Sequence, residues 1–192
     1  MKCDVKKFFD SINHQTLIDI LKQKIKDENI LNLIQEIIFS FEMNSDKGIP
    51  LGNLTSQYFA NIYLNELDWF VKHRLRIKYY IRYTDDFLIL NSDKNYLLGL
   101  IGSINHFLNN RLKLNLHPDK IIVRKHNQGI DFLGYVTLPR YRVLRTKTKK
   151  RMFRKVADKN IQSYLGILKH CCGYKLKLNV ENHARTSRSG DN

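Results

Sequence analysis

The order of predicted elements favours an α+β fold, in which an antiparallel sheet carries helices on one face. Several segments repeat apolar residues at the spacing of amphipathic helices, and short apolar runs flank polar turns as they do in hairpins. The chain has 192 residues, of which 43% are hydrophobic. This is enough for one domain with a sizeable core, and it argues against a disordered protein.

The first half of the chain reads as a short strand followed by helices. Residues 1–6 form the predicted strand, and helical spacing of apolar residues predicts helices over 14–26 and 30–41. A polar loop over 44–53 contains two glycines and a proline, which interrupt regular structure. A long amphipathic helix then runs from residue 55 or 56 to 75.

The second half begins with a hairpin over 79–90, because two apolar runs flank a polar tetrapeptide. A helix is predicted over 95–111 and a strand over 120–124. A second hairpin follows over 131–138, and a basic, mainly helical segment covers 149–170.

The tetrapeptide Tyr83-Thr84-Asp85-Asp86 forms the predicted tip of the first hairpin. Adjacent carboxylates repel each other without a cation, and hard oxygen ligands suit Mg²⁺. The alternative is a solvated turn, since Asp is common in turns.

Asp4 ends the N-terminal strand and is the natural third acid. If that strand lies beside the hairpin, Asp4 converges with Asp85 and Asp86. Three carboxylates around two metal ions form the arrangement used for in-line phosphoryl transfer. Taken alone, Asp4 could equally be an exposed acid at a strand end.

The formal net charge is +15 and the pI is about 9.8, which favours a polyanionic partner. The charge is concentrated, because residues 140–177 hold thirteen Lys or Arg and one acid. Residues before Arg140 include eighteen basic and fifteen acidic side chains. The alternative is a solvated basic face.

The three cysteines, Cys3, Cys171 and Cys172, form no paired framework, so a reducing cytoplasm is expected. No signal peptide is visible, and no apolar run approaches the length of a membrane span. We therefore expect a cytoplasmic protein without membrane contact.

Four motifs together resemble those of reverse transcriptases, in the family's order and spacing, and the resemblance covers residues 1–175. They comprise Asp4-Val5-Lys6-Lys7-Phe8-Phe9-Asp10, Gly48-Ile49-Pro50-Leu51-Gly52, Tyr83-Thr84-Asp85-Asp86 and Phe132-Leu133-Gly134-Tyr135. The resemblance implies a polymerase palm followed by the start of a helical thumb. It also implies RNA-directed DNA polymerase activity with template RNA, a DNA or RNA primer, and dNTPs.

The resemblance assigns the metal site to four residues. Asp4 and Asp85 are the implied principal ligands of two Mg²⁺ ions, for which Mn²⁺ can substitute. Asp86 is the third acid, and the Val5 carbonyl completes one coordination sphere.

The resemblance also assigns substrate contacts. Phe9 occupies the position of the steric gate that excludes a ribose 2′-hydroxyl, although one of Phe8 and Phe9 is expected in the core. Pro50, Leu51 and Gly52 belong to the loop under the incoming nucleotide.

Two further roles follow from the resemblance. Lys120 matches a lysine that protonates departing pyrophosphate, with an ordinary surface lysine as the alternative. The implied primer grip consists of Phe132, Leu133, Gly134 and Tyr135.

The subfamily prediction depends on Leu51-Gly52-Asn53-Leu54-Thr55-Ser56-Gln57 and on residues 163–170. Both are similar to the reverse transcriptases of diversity-generating retroelements, which work with a small basic accessory protein. A group II intron or retron reverse transcriptase is the alternative within the family.

The resemblance divides the chain into a palm over 1–139, a basic partial thumb over 140–180 and a disordered tail over 181–192. Family members carry a fingers region ahead of Asp4, so we expect a truncated chain that extends primers poorly by itself. Two rival classes remain open: an RNA-dependent RNA polymerase, which Phe9 argues against, and a non-catalytic nucleic-acid-binding remnant.

Overall fold

The computed structural model describes residues 1–40, 46–50 and 52–188. The chain divides into two compact units, Met1–Val123 and Arg124–Asn192. The sequence-predicted division at 139/140 falls inside the second unit. Both units combine helices with antiparallel strands, which confirms the predicted α+β class.

The sheet of the first unit has the strand order β1-β3-β2 and is antiparallel throughout. Its strands are β1 (Lys2–Asp4), β2 (Tyr79–Tyr83) and β3 (Asp86–Leu90). The first predicted hairpin is therefore confirmed. β3 alternates buried Phe87 and Ile89 with more exposed residues, as expected when one sheet face is covered.

Three of the five helices of the first unit begin at residues that supply capping side chains. The five helices are α1 (Phe8–Ser11), α2 (His14–Lys24), α3 (Glu28–Phe39), α4 (Leu54–Trp69), which continues as a π-helical turn (Phe70–Arg74), and α5 (Lys94–Leu112). Asn13, Asp27 and Asp93 accept hydrogen bonds from the first turns of α2, α3 and α5. Such caps satisfy otherwise unpaired N–H groups.

The core of the first unit joins the buried sheet face to α2, α4 and α5. Tyr63 on α4 is fully buried, and its hydroxyl donates a 2.6 Å hydrogen bond to the Leu112 carbonyl at the end of α5. Phe70 and Phe107 stack with ring centroids 4.2 Å apart. The helices thus hold the sheet from one side.

The predicted strand over 120–124 is wrong. Pro118–Lys120 forms a 3₁₀ turn, and Ile122 makes an isolated antiparallel bridge with Lys2. Pro118 has a fixed φ and no N–H, so it favours the start of a turn over a ladder. The bridge places the Pro118–Lys120 turn beside β1.

The second unit contains another antiparallel sheet, followed by helices. Its strands are β4 (Ile130–Phe132), β5 (Tyr135–Thr137) and β6 (Arg142–Leu144), and its helices are α6 (Thr146–Lys155), α7 (Ile161–Leu168) and α8 (Tyr174–Arg188). The second predicted hairpin is present, whereas β6 was not predicted. A small core unites Leu144, Met152, Val156, Leu168 and Val180.

The segment over 149–170 is mainly helical, as predicted, but the chain breaks between α6 and α7. Asn160 explains the break: its Nδ2 donates to the Lys155 carbonyl and its Oδ1 accepts from the Ala157 N–H, both at 2.9 Å. These bonds replace helical ones. α8 continues to Arg188, into the expected tail, and residues 189–192 lie outside the described part.

Where the structure describes the chain, none of its helices combines the length and apolar character needed to cross a bilayer.

Candidate active site

Strand pairing brings Asp4 and Asp86 together from opposite ends of the sequence. They are register partners in the antiparallel pairing of β1 with β3. The next residue of the chain, Val5, donates its N–H to the Asp85 carbonyl at 3.2 Å. All three sequence-predicted acids therefore lie at the same end of the sheet.

Asp4 is 8% exposed and is held by the Pro118–Lys120 turn and the residue before it. Its backbone carbonyl accepts a hydrogen bond from His117 N–H at 2.8 Å. Its carboxylate oxygens accept hydrogen bonds from Lys120 Nζ at 2.9 and 3.1 Å. The hydrogen bond to Asp4 raises the pKa of Lys120, so this amine is protonated at neutral pH.

Asp85 lies in the turn between β2 and β3. The preceding residue, Thr84, has a φ of 50°, in the left-handed region that non-glycine residues rarely occupy. Thr84 Oγ1 donates to Asp85 Oδ1 at 2.9 Å, and Arg82 Nη1 donates to the Thr84 carbonyl at 2.9 Å. Side chains of the turn and of β2 therefore support the strained backbone.

Asp86 begins β3 and has an unusual electrostatic environment. Its Oδ1 atom is buried and accepts no hydrogen bond, although Lys2 Nζ lies 3.3 Å away as an ion-pair partner. Burial raises the pKa of the Asp86 carboxyl, and the charges of Asp4 and Asp85 raise it further, against the opposing effect of Lys2. Three carboxylates thus share this end of the sheet with the ammonium groups of Lys2 and Lys120.

The donor chemistry of the site fits a hard divalent cation, because carboxylate and carbonyl oxygens are the ligands that Mg²⁺ prefers. Asp86 Oδ1 is the buried oxygen that lacks a hydrogen bond. Lys2 and Lys120 balance part of the negative charge. Among the described residues, no three His, Cys, Asp or Glu side chains are already gathered as a metal cluster.

Phe9 lies on α1 and is half-buried, whereas its neighbour Phe8 is 2% exposed. The two rings meet edge to face with centroids 5.2 Å apart. Phe8 is thus the core member of the pair, and Phe9 retains an accessible surface.

The loop around Gly48 is attached to the segment that carries Phe9. Gly48 N–H donates to the Ile12 carbonyl and Ile49 N–H to the Phe9 carbonyl, both at 2.9 Å. His14, fully buried, places Nε2 2.7 Å from the Gly48 carbonyl.

Further along the same loop, Pro50 is half-buried, and Gly52 is exposed with a φ of 97°. Leu51, also predicted to contact the nucleotide, lies outside the described residues. The positive φ of Gly52 lies in a backbone region that favours glycine.

In the second unit, the predicted primer-grip residues form the β4–β5 hairpin. Leu133 and Gly134 have φ values of 52° and 84°, the signs required at the centre of a type I′ turn. Phe132 and Tyr135 are register partners that flank the turn. Tyr135 donates its hydroxyl to the Ile167 carbonyl at 2.9 Å, and this bond anchors the hairpin to α7.

A basic groove follows this hairpin in the second unit. It has a volume of about 580 Å³ and is lined by Arg145, Thr146, Lys147, Thr148, Lys150, Arg151 and Arg154. Part of the basic segment over 140–177 therefore lines a concave surface that suits the phosphate groups of a nucleic acid.

Sequence reasoning missed several residues that support the site. Lys2 contacts Asp86, His14 contacts the Gly48 carbonyl and Arg82 contacts the turn. Asp68 and Tyr80 lie behind Arg82 and join it through hydrogen bonds to Asp68. Arg82 alone carried a sequence signal, because it immediately precedes the predicted turn.

Comparison with known proteins gives the same family as the motifs. The family model described as "Reverse transcriptase (RNA-dependent DNA polymerase)" matches residues 1–137. That match covers more than half of the chain and includes all three acids.

Curated relatives are similar over much of this chain. The "Putative COX1/OXI3 intron 2 protein" of Saccharomyces cerevisiae is 23% identical over 70% of the chain and 23% of its own length. The "Group II intron-encoded protein LtrA" of Lactococcus lactis subsp. cremoris is 27% identical over 77% and 35%, respectively. "Protein YkfC" of Escherichia coli is 25% identical over 69% and 45%.

The chain spans less than half the length of these relatives. The family match rests on the region that contains the paired strands, the acidic turn and the Gly48 loop. The chain belongs to the reverse transcriptase family.

Proposed function

We propose that the chain is the catalytic part of an RNA-directed DNA polymerase, which adds deoxynucleotides to a primer. The observation that carries this proposal is the pairing of Asp4 with Asp86 beside the Asp85 turn, which brings three carboxylates to one end of the sheet. A site that concentrates negative charge in this way fits divalent cations.

Asp4, Asp85, Asp86 and the Val5 carbonyl are the proposed ligands of two Mg²⁺ ions. Bound divalent ions would supply activation of the primer 3′-hydroxyl and stabilisation of the leaving pyrophosphate. Lys120 is the proposed proton donor to pyrophosphate, supported by its position beside Asp4, whose carboxylate accepts its hydrogen bonds.

Phe9 is the proposed steric gate, supported by its accessible ring beside the buried Phe8. The loop over Pro50, Leu51 and Gly52 is proposed to support the incoming nucleotide. Phe132 to Tyr135 are proposed to hold the primer, with the basic groove of α6 on the phosphates of the template and primer.

A group II intron type is the subtype that we favour, because LtrA, a relative named as group II intron-encoded, is 27% identical over 77% of the chain. The diversity-generating retroelement type, with its accessory protein, is the second candidate and is supported by the sequence Leu51 to Gln57. Fidelity on an adenine-containing RNA template separates them. Frequent errors at adenine that Leu51→Gln suppresses would favour the retroelement type, and unchanged errors would exclude it.

Two measurements on the 192-residue chain test the polymerase proposal. The first is Mn²⁺ binding followed by electron paramagnetic resonance, for the wild type, Asp4→Asn and Asp85→Asn. The second is extension of a primer on an RNA template with dNTPs or NTPs. We expect Mn²⁺ binding that each substitution weakens, and any extension to be metal-dependent and selective for dNTPs.

Asp19→Asn is the matched control, because Asp19 lies on the exposed side of α2. Mn²⁺ binding that is equal in the wild type and both active-site variants would overturn the metal assignment. RNA binding without metal binding or extension would instead support the non-catalytic binding module, and preferential NTP incorporation would support an RNA polymerase.

A further inference from the structure

A hydrogen-bonded network connects α4 to the acidic turn through β2. Asp68 on α4 accepts a bidentate pair of bonds from Arg82, with Nε–Oδ1 at 2.8 Å and Nη2–Oδ2 at 2.6 Å. Tyr80 donates its hydroxyl to the same Oδ1 at 2.7 Å. Both Asp68 oxygens are therefore used, in the fork geometry that only arginine provides.

The third nitrogen of the guanidinium group extends the network to the turn. Arg82 Nη1 donates to the Thr84 carbonyl at 2.9 Å and lies 3.5 Å from Asn61 Oδ1. The Arg82 side chain is 10% exposed, so these contacts are shielded from water. Arg82 thus connects a fixed helix to the residue immediately before Asp85.

The turn needs such support for two reasons. Thr84 adopts a left-handed backbone, which persists only when its surroundings hold it. The Asp85 carbonyl also accepts the Val5 N–H at 3.2 Å, so the position of the turn determines how β1 approaches the acids.

We infer that Arg82 and Asp68 are positioning residues, which fix the Thr84–Asp85 turn relative to Asp4 and so preorganise the cation site. The inference deepens the proposed function and rests on its metal assignment. Neither side chain contacts the acids, so both act through the Thr84 carbonyl. Tyr80 orients Asp68 but contributes less to the positioning of the turn, because Arg82 keeps its bonds to both Asp68 oxygens without the Tyr80 hydroxyl.

The test combines amide hydrogen exchange with Mn²⁺ titration of the full chain. Arg82→Gln should accelerate exchange of the metal-free Val5 amide about tenfold, since its acceptor on the turn becomes mobile. Mn²⁺ affinity should fall about ten- to a hundred-fold, the usual effect of removing groups that orient metal ligands. Exchange at Leu108, in the last third of α5, should stay unchanged.

Arg82→Lys separates positioning from charge. Lysine keeps the positive charge but lacks the planar fork, so it cannot bind both Asp68 oxygens and the Thr84 carbonyl together. We expect partial recovery of Mn²⁺ affinity relative to Arg82→Gln. Asp68→Asn should give the same local exchange change while leaving Arg82 in place.

Arg111→Gln is the matched control, because Arg111 also pairs with a carboxylate on α4, Glu66, at 3.8 Å. It removes the same charge without touching the turn, and we expect wild-type exchange at Val5 and wild-type Mn²⁺ affinity.

Unchanged Val5 exchange in both Arg82→Gln and Asp68→Asn would overturn the inference, and so would faster exchange at Val5 and Leu108 alike. If the wild type itself binds no Mn²⁺, the metal assignment fails, while Val5 exchange still decides whether Arg82 positions the turn.

Discussion

Asp86 keeps a carboxylate in a place where protein atoms exclude most of the solvent. One oxygen is buried without a hydrogen bond, and burial together with Asp4 and Asp85 raises the pKa of the carboxyl. A residue chosen for stability would be neutral here. The arrangement is typical of a functional site, where charge is maintained at the expense of stability.

Asp86→Asn should therefore stabilise the metal-free protein at pH 7 by about 1 kcal/mol. A raised pKa means that the folded wild type binds the proton more tightly than the unfolded chain. Its stability relative to the variant consequently rises as the pH falls through the folded-state pKa, and the difference closes in acid. Urea unfolding in EDTA, followed by Trp69 fluorescence between pH 7 and 4, measures this.

Asp19→Asn serves as the control, since that exposed carboxylate should change stability by less than about 0.5 kcal/mol. A destabilised Asp86→Asn protein at pH 7 would contradict the electrostatic argument.

His14, unlike Asp86, is a residue whose role only the fold reveals. It is fully buried, and its Nε2 lies 2.7 Å from the Gly48 carbonyl. His14→Phe fills similar space but leaves that carbonyl without a partner, so we expect a loss of about 1–3 kcal/mol in unfolding free energy. Trp69 fluorescence during urea unfolding reports it.

The neighbouring exposed substitution Gln15→Ala provides the comparison, with an expected change within about 0.5 kcal/mol. Equal stabilities of the two variants would mean that the His14 contact does not hold the loop.

At the scale of elements, the sequence predicts those helices and strands that are specified by the spacing of their own residues. The first hairpin and the helix over 95–111 were predicted because their apolar residues lie within the elements themselves, and the structure adds the Asp93 cap of α5. The break between α6 and α7 was missed, since Asn160 acts through its side chain on Lys155 and Ala157.

The candidate site divides in the same way. The acids were named from motifs, but the ion pair of Lys120 with Asp4 joins residues 116 positions apart, and the Arg82–Asp68 pair joins residues 14 apart. No local pattern specifies such partners, because they depend on which strands and helices become neighbours. The family resemblance supplied a role for Lys120 without supplying its contact.

The β4–β5 hairpin gives a prediction at this scale. Gly134 has a φ of 84°, and an added Cβ would lie 3.4 Å from Thr148 Oγ1. Gly134→Ala should cost about 1–2 kcal/mol, because the left-handed backbone is unfavourable for alanine. Urea unfolding followed by circular dichroism provides the measurement.

Gly166→Ala is the matched substitution, since Gly166 lies inside α7 with no atom within 4 Å of an added Cβ. It should stabilise the protein by about 0.4–1 kcal/mol, through reduced entropy of the unfolded chain. Two changes of the same sign would show that the turn geometry is not the deciding factor.

At the scale of the whole molecule, the distribution of charge sets the mode of nucleic-acid binding. Residues 140–177 include thirteen basic side chains, and several of them line one groove beside α6. Binding dominated by such a surface releases counterions from the phosphates and weakens steeply with salt. We expect affinity for RNA that depends little on sequence.

Lys147→Gln, Lys150→Gln and Arg154→Gln, combined in one protein, should remove about three phosphate contacts. The slope of log K against log salt for a single-stranded RNA should then become shallower by about 2, at roughly 0.7 per contact. Fluorescence anisotropy across a salt series measures the slope.

The combination of Lys22→Gln, Lys24→Gln and Lys26→Gln is the control, because it changes the net charge equally at exposed positions of the first unit. It should leave the slope near the wild-type value. Equal reductions in both triple variants would mean that net charge, rather than the groove, drives binding, and the assignment of the groove to template and primer phosphates would then be wrong.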